Sequence, residues 1–154
     1  MKIEDQCPSF SLFDQHGYLI DSSTFKGKYT VIYFYPKDDT PGCTKEACTF
    51  RDRYEEFLLL GCHVIGISSD NESQHKKFSQ KYNLPFTLLA DTKGEVRKLF
   101  DVPSSLFGFI PGRVTYTFDE SSCLIGLFNS QLNPVGHIDE ALKLVKLAQQ
   151  QKNK

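Results

Sequence analysis

Residues 29–35 read YTVIYFY, seven consecutive β-branched and aromatic side chains with almost no polar alternation. Extended backbone suits such a run, and the missing alternation means that both faces of the strand must be covered. Pro36 stops it. A buried central strand of this kind calls for a sheet with helices packed on either side. The neighbouring segments agree. Residues 62–68 (CHVIGIS) and 86–90 read as further strands, and residues 43–60, 71–82 and 93–100 carry helical spacing. In the first of these helices Ala47, Phe50, Tyr54, Phe57 and Leu58 recur at intervals of three and four, and Gly61 ends it. Alternating strands and helices imply a parallel sheet with right-handed crossovers.

Two flanking pieces complete the order. Residues 9–12 and 18–21 surround the turn signal Gln15-His16-Gly17 and predict an amino-terminal β-hairpin. Residues 113–118 and 123–128 surround Asp119-Glu120-Ser121-Ser122 and predict a second hairpin, after a Phe-, Gly- and Pro-rich loop over 102–111. Residues 138–150 close the chain as an amphipathic helix with Ile138, Leu142, Val145 and Ala148 along one stripe. The expected class is α/β, a thioredoxin-like fold with a mixed central sheet flanked by helices. No repeat or interior linker divides the 154 residues, so a single domain over 1–154 is expected, with the polar stretch 149–154 as a frayed tail.

The hydrophobic fraction of 40% in a chain this long supports a core that needs no metal or disulfide staple. A net charge of -1 argues against a large phosphate-binding face, so no nucleic acid is expected as partner. No apolar run is long enough to predict a membrane span. Residues 1–8 lack the basic-then-apolar pattern of a secretory leader. The expected location is cytoplasmic, or plastid if a transit peptide has been removed. The five cysteines, Cys7, Cys43, Cys48, Cys62 and Cys123, are an odd number and suggest free thiols in a reducing compartment. Cys43, Cys48, Cys62 and His63 lack the close pairs of a zinc site, so neither metal nor cofactor is expected. Cys7, Cys62 and Cys123 fall in strand or edge contexts and read as small core residues.

Chemistry concentrates in residues 36–52, PKDDTPGCTKEACTFRD, where the buried strand passes into a helix. Reactive groups of α/β sheets lie at such carboxyl ends of strands. Cys43 falls in the first helical turn, facing unpaired N–H groups and the positive end of the helix dipole, both of which favour a thiolate. Pro41 suits a helix start and Gly42 a close backbone approach. Thr40 reads as a helix cap whose hydroxyl lies beside the sulfur. Glu46 reads as a first-turn carboxylate, and Arg51 either as a partner of Glu55 or as a buttress of the site. Phe107 and Phe109 are candidate pocket walls.

Pro36, Thr40 and Cys43 stand as P-x-x-x-T-x-x-C, which resembles the active-site signature of the peroxiredoxins. The string TPGCTKEAC, with SSLFGFIPGRVTYTFD and NPVGHIDEALK downstream, resembles the peroxiredoxin Q (bacterioferritin comigratory protein) subfamily, plant and cyanobacterial type. The resemblance implies a thiol peroxidase for hydrogen peroxide and organic hydroperoxides, of the atypical two-cysteine kind. Cys43 would attack the peroxide and become a sulfenic acid. Thr40, Gly42 and Arg113 would hold the substrate, Pro36 would shield the sulfur, and Arg113 would stabilise it. Cys48 would resolve the sulfenic acid as an intramolecular disulfide, which thioredoxin would reduce, and the chain would be a monomer.

Geometry adds a condition. Residues five apart in an intact helix have Cα atoms about 8.6 Å apart and side chains roughly 140° apart. A disulfide needs about 4.4–6.8 Å, so a Cys43–Cys48 bridge requires the helix to unwind locally. Two rival readings are a disulfide oxidoreductase, which wants C-x-x-C where this chain has C-x-x-x-x-C, and a non-enzymatic module on the same scaffold, which has no need of Thr40 or Arg113.

Overall fold

The computed structural model describes residues 1–105 and 110–153. Ser11–Phe13 (β1) and Leu19–Asp21 (β2) form the amino-terminal hairpin, followed by a 3-10 turn over Ser22–Phe25. Tyr29–Phe34 (β3) leads into Pro41–Asp52 (α1) and Tyr54–Leu59 (α2). Cys62–Ser68 (β4), Glu72–Tyr82 (α3), Thr87–Ala90 (β5) and Glu95–Leu99 (α4) come next. Ser104–Ser105 (β6) pairs with Ile110–Pro111 (β7). Val114–Phe118 (β8), Leu124–Asn129 (β9) and Pro134–Lys152 (α5) complete the chain.

The main sheet has the order β5-β4-β3-β8-β9. β3, β4 and β5 run parallel, and β8 and β9 are antiparallel additions. All six residues of β3 are buried. Tyr29, Val31, Tyr33 and Tyr35 enter one hydrophobic cluster with Phe50, Phe57, Ile138 and Val145. Ile32 and Phe34 enter another with Phe10, Ile67, Leu89 and Phe100. The period-two alternation of a strand thus feeds two cores, one on each side of the sheet.

The first and last long helices depart from the sequence expectation. The helix expected over 43–60 starts at Pro41 and breaks at Arg53, whose backbone (φ -109, ψ 12) leaves the helical region. The closing helix starts earlier, at Pro134, because Asn133 caps it by accepting from the Gly136 N–H at 3.1 Å. It also runs through the stretch expected to fray, as far as Lys152, where Gln149 donates to the Leu60 carbonyl and Lys152 pairs with Glu120. Such tethers offset the entropy that otherwise melts a terminus.

Candidate active site

β3 ends against the loop that starts α1, and the loop is pinned before the helix begins. Asp38, buried, accepts from the Tyr35 hydroxyl at 2.6 Å and lies 2.7 Å from His75 Nδ1. The other ring nitrogen of His75 donates to the Leu89 carbonyl at 2.9 Å. The Asp38 N–H donates to Asp70, which also accepts from Ser68 at 2.6 Å. Asp39 adopts a left-handed backbone (φ 58) and takes bonds from Lys81 and Tyr82, both at 2.8 Å. Neither aspartate announced this role in the sequence, since most of the partners lie on α3 and in the loop that precedes it. Asp38, Asp70 and His75 are the His, Cys, Asp and Glu groups close enough for a common cation among the described residues. Each is already hydrogen-bonded within the protein.

Cys43 sits in the first turn of α1 and is 1% exposed. Pro41 has no N–H, and the first bond along the helix is donated by Thr44 to the Thr40 carbonyl at 2.8 Å. The N–H groups of Gly42 and Cys43 therefore have no helical acceptor and are left for an anion or a polar ligand. Thr40 occupies the capping position, but its hydroxyl donates back to the Lys37 carbonyl at 2.8 Å instead of capping. The expectation of a side-chain cap is corrected: the hydroxyl is committed to the incoming loop. Its oxygen keeps lone pairs that still accept. Pro36 is partly buried at the end of β3.

Arg113, 5% exposed, comes from the start of β8 and reaches three acceptors. Its Nη2 donates to Cys43 Sγ at 3.5 Å, Nη1 to Glu46 Oε1 at 2.7 Å and Nε to the Gln131 carbonyl at 3.2 Å. A planar guanidinium with donors on fixed directions is suited to such triple use. Burial works against its charge, but Glu46 and Cys43 beside it hold its pKa above the ordinary value. Two glycines make room. A Cβ on Gly42 would stand 2.9 Å from Arg113 Nη2, and one on Gly112 would collide with the Pro103 carbonyl.

Glu46 is no exposed first-turn carboxylate, as its position in the sequence suggested. It is 0% exposed, points inward to Arg113, and burial pushes its pKa up to about 8 against the pull of that guanidinium. His137 lies 3.6 Å from Glu46 Oε2. Burial lowers the His137 pKa to about 4, so the ring is neutral, with Nε2 donating to the Ser130 carbonyl at 2.7 Å. Nδ1 is left to accept from Thr115 at 2.8 Å. His137 lies 91 residues from Glu46 in the sequence, and only the tertiary fold brings it here.

Cys48 lies farther along α1, partly exposed, and all five cysteines are unbridged. Arg51 does not pair with Glu55. It bonds Asp52 at 2.9 Å and the Tyr82 carbonyl at 2.7 Å, tying the far half of α1 to the end of α3. Cys62 is buried and Cys7 partly so, and burial raises both thiols to about 12, which suits inert core residues. Phe107 and Phe109 lie outside the described residues.

The family model for AhpC/TSA matches residues 3–125. The chain belongs to the AhpC/TSA family. Within it, the chain is 53% identical over 139 residues to a chloroplastic peroxiredoxin Q of Populus jackii, covering 90% of this chain and 65% of that protein's length. Among solved structures it superposes on the peroxidoxin BcpB of Mycobacterium tuberculosis with a TM-score of 0.88 and 33% identity, covering 96% of this chain and 97% of the other. It also matches the bacterioferritin comigratory protein of Xanthomonas campestris, whose structures are described in terms of alkyl peroxide reduction. There the TM-score is 0.83 at 28% identity, over 90% of this chain and 91% of the other. The branch of the AhpC/TSA family that the sequence resembles, peroxiredoxin Q, is the one these relatives represent. The thioredoxin-like architecture is likewise that of its solved members.

Proposed function

We propose that the protein is a thiol peroxidase that reduces hydrogen peroxide and organic hydroperoxides with Cys43. The observation that carries this reading is the Arg113 Nη2 donor 3.5 Å from Cys43 Sγ, with two uncommitted amides of α1 beside the same sulfur. In the first step the Cys43 thiolate attacks the terminal oxygen of ROOH. The O–O bond breaks, the sulfur becomes a sulfenic acid, and the leaving alkoxide takes up a proton as ROH. Arg113 and the Gly42 and Cys43 amides stabilise charge as it moves onto oxygen. Thr40 accepts from the peroxide, and Pro36 keeps water from the sulfur. The Cys48 thiol then condenses with the sulfenic acid, releasing water and forming the Cys43–Cys48 disulfide. An external dithiol, with thioredoxin as the expected donor, returns both cysteines to thiols. Both cysteines lie on one helix, so the cycle closes within a monomer.

Among the described residues no helix is long and apolar enough to cross a membrane. The chloroplastic name of the poplar relative supports a plastid setting, with the cytoplasm as the alternative. The test is peroxide-dependent oxidation of reduced thioredoxin. Cys43→Ser should lose all turnover, and Cys48→Ser should keep one stoichiometric burst of peroxide consumption. Turnover that survives Cys43→Ser would overturn the assignment.

A further inference from the structure

Arg113 is the one cation among the described residues that contacts both Cys43 and Glu46. Both acids are buried, at 1% and 0% exposure, so water cannot compensate a second negative charge. The other groups facing Glu46 offer none of that compensation. His137 from α5 is neutral, and its nearer nitrogen is engaged by the Thr115 hydroxyl of β8. Tyr33 from β3, whose phenol carries an electrostatic influence from Glu46, is buried, and burial keeps it protonated. Glu46 Oε2 and the Tyr33 hydroxyl find no hydrogen-bond partner among the described residues. An ionised carboxylate would leave that oxygen both charged and unsatisfied, whereas a neutral carboxyl leaves it only unsatisfied.

We propose that Glu46 and Cys43 share a single negative charge over Arg113, and that Glu46 gives up its proton when peroxide oxidises Cys43. The inference rests on the peroxidase reading. Before reaction the sulfur is the anion and Glu46 is a carboxyl. After it, Cys43 is an uncharged sulfenic acid and Arg113 has lost its counter-ion, so Glu46 ionises in its place. The step balances as thiolate, ROOH and carboxyl giving sulfenic acid, ROH and carboxylate, with one negative charge on each side. The proton taken by the leaving oxygen is matched by the one Glu46 releases. The site keeps its charge through the reaction, and the new carboxylate holds Arg113 while α1 opens for Cys48. Glu46 touches no reacting atom and is a positioning residue acting through Arg113. Its raised pKa agrees with a carboxyl that is protonated near neutrality until the sulfur is consumed.

Proton counting tests this. Cys48→Ser halts the cycle at the sulfenic acid, which mass spectrometry and trapping with a sulfenic-acid reagent quantify. In weakly buffered solution at neutral pH, with a pH indicator in a stopped-flow cell, this variant should take almost no proton from solvent per sulfenic acid formed. Glu46→Gln in the same background keeps an acceptor for Arg113 but has no proton to release. It should take up one proton per sulfenic acid. A full proton taken up by the Cys48→Ser protein with Glu46 intact overturns the proposal, and that result needs no second variant to fold. Equal uptake in the two proteins overturns it as well. Failure of any sulfenic acid to form would instead contradict the peroxidase reading, so the two failures are distinct.

Discussion

At the scale of single residues the site depends on where one guanidinium is allowed to sit. Gly42 has no side chain, and the missing Cβ is the space that Arg113 Nη2 occupies. Gly42→Ala should push the guanidinium off Cys43 while costing the helix start little, because alanine is the better helix former. We expect kcat/KM for peroxide to fall at least about tenfold, equivalent to ~1.4 kcal/mol of transition-state stabilisation, with the urea midpoint almost unchanged. Glu46 predicts a pH effect on stability. Its pKa is raised in the fold to about 8, so between the ordinary carboxylate range and that value the folded chain holds a proton that the unfolded chain has lost. Taken alone, this group makes stability fall as pH rises through that window. His137, lowered from 6.5 to about 4, acts in the opposite sense and only below its ordinary value. On the shared-charge account Cys43 offsets this slope, because the unfolded chain carries the proton on the thiol instead of on Glu46; the reduced protein should show little slope near neutrality, and Glu46→Gln should make stability rise with pH in urea unfolding. Cys43, Thr40 and Arg113 stood out as candidates in the sequence because the family-like strings carry them, and the fold brings Arg113 to Cys43. Glu46's inward turn and His137's proximity were not, since both depend on how α1 and α5 meet over the sheet.

At the scale of elements the proposed cycle gives α1 two jobs that conflict. Intact, it presents Cys43 to Arg113; bridged, it must bring Cys43 and Cys48 closer than a helix permits. The contacts around it mark where it can open. The loop before it is fastened by Asp38 and Asp39 to α3 and its neighbours, and its far half is fastened by Arg51 to Tyr82. Between these anchors lies the stretch expected to melt. Amide hydrogen exchange over residues 44–50 should accelerate in the oxidised protein and stay slow in the reduced one. Equal protection in both states would exclude the switch. The helix-break at Arg53 escaped the sequence reading because the apolar spacing runs on past it through Tyr54 and Phe57. Hydrophobic periodicity reports which side is buried, and it is blind to a single residue stepping out of helical backbone.

At the scale of the whole molecule the sheet explains why one short segment holds the chemistry. β3 is buried on both faces, in two cores, so its carboxyl end is a rigid platform. β8 runs antiparallel beside it, with Val114 paired to Phe34, and so places Arg113 at the same end. The succession of strands and helices along the chain came through in the sequence because run length and periodicity separate the two, whereas the order of strands in the sheet did not, being set by tertiary pairing. The arrangement of α5 did not, because its early start rests on the Asn133 cap and its late end on tertiary tethers. On the proposed reading, the molecule as a whole oxidises one sulfur and joins it to one other. The most direct measurement is peptide mapping by mass spectrometry of the reduced chain after one equivalent of hydrogen peroxide. The account predicts a Cys43–Cys48 disulfide in the unaltered protein, a sulfenic acid confined to Cys43 in Cys48→Ser, and no oxidation in Cys43→Ser. Oxidation that falls instead on Cys7, Cys62 or Cys123, or that persists without Cys43, would contradict it.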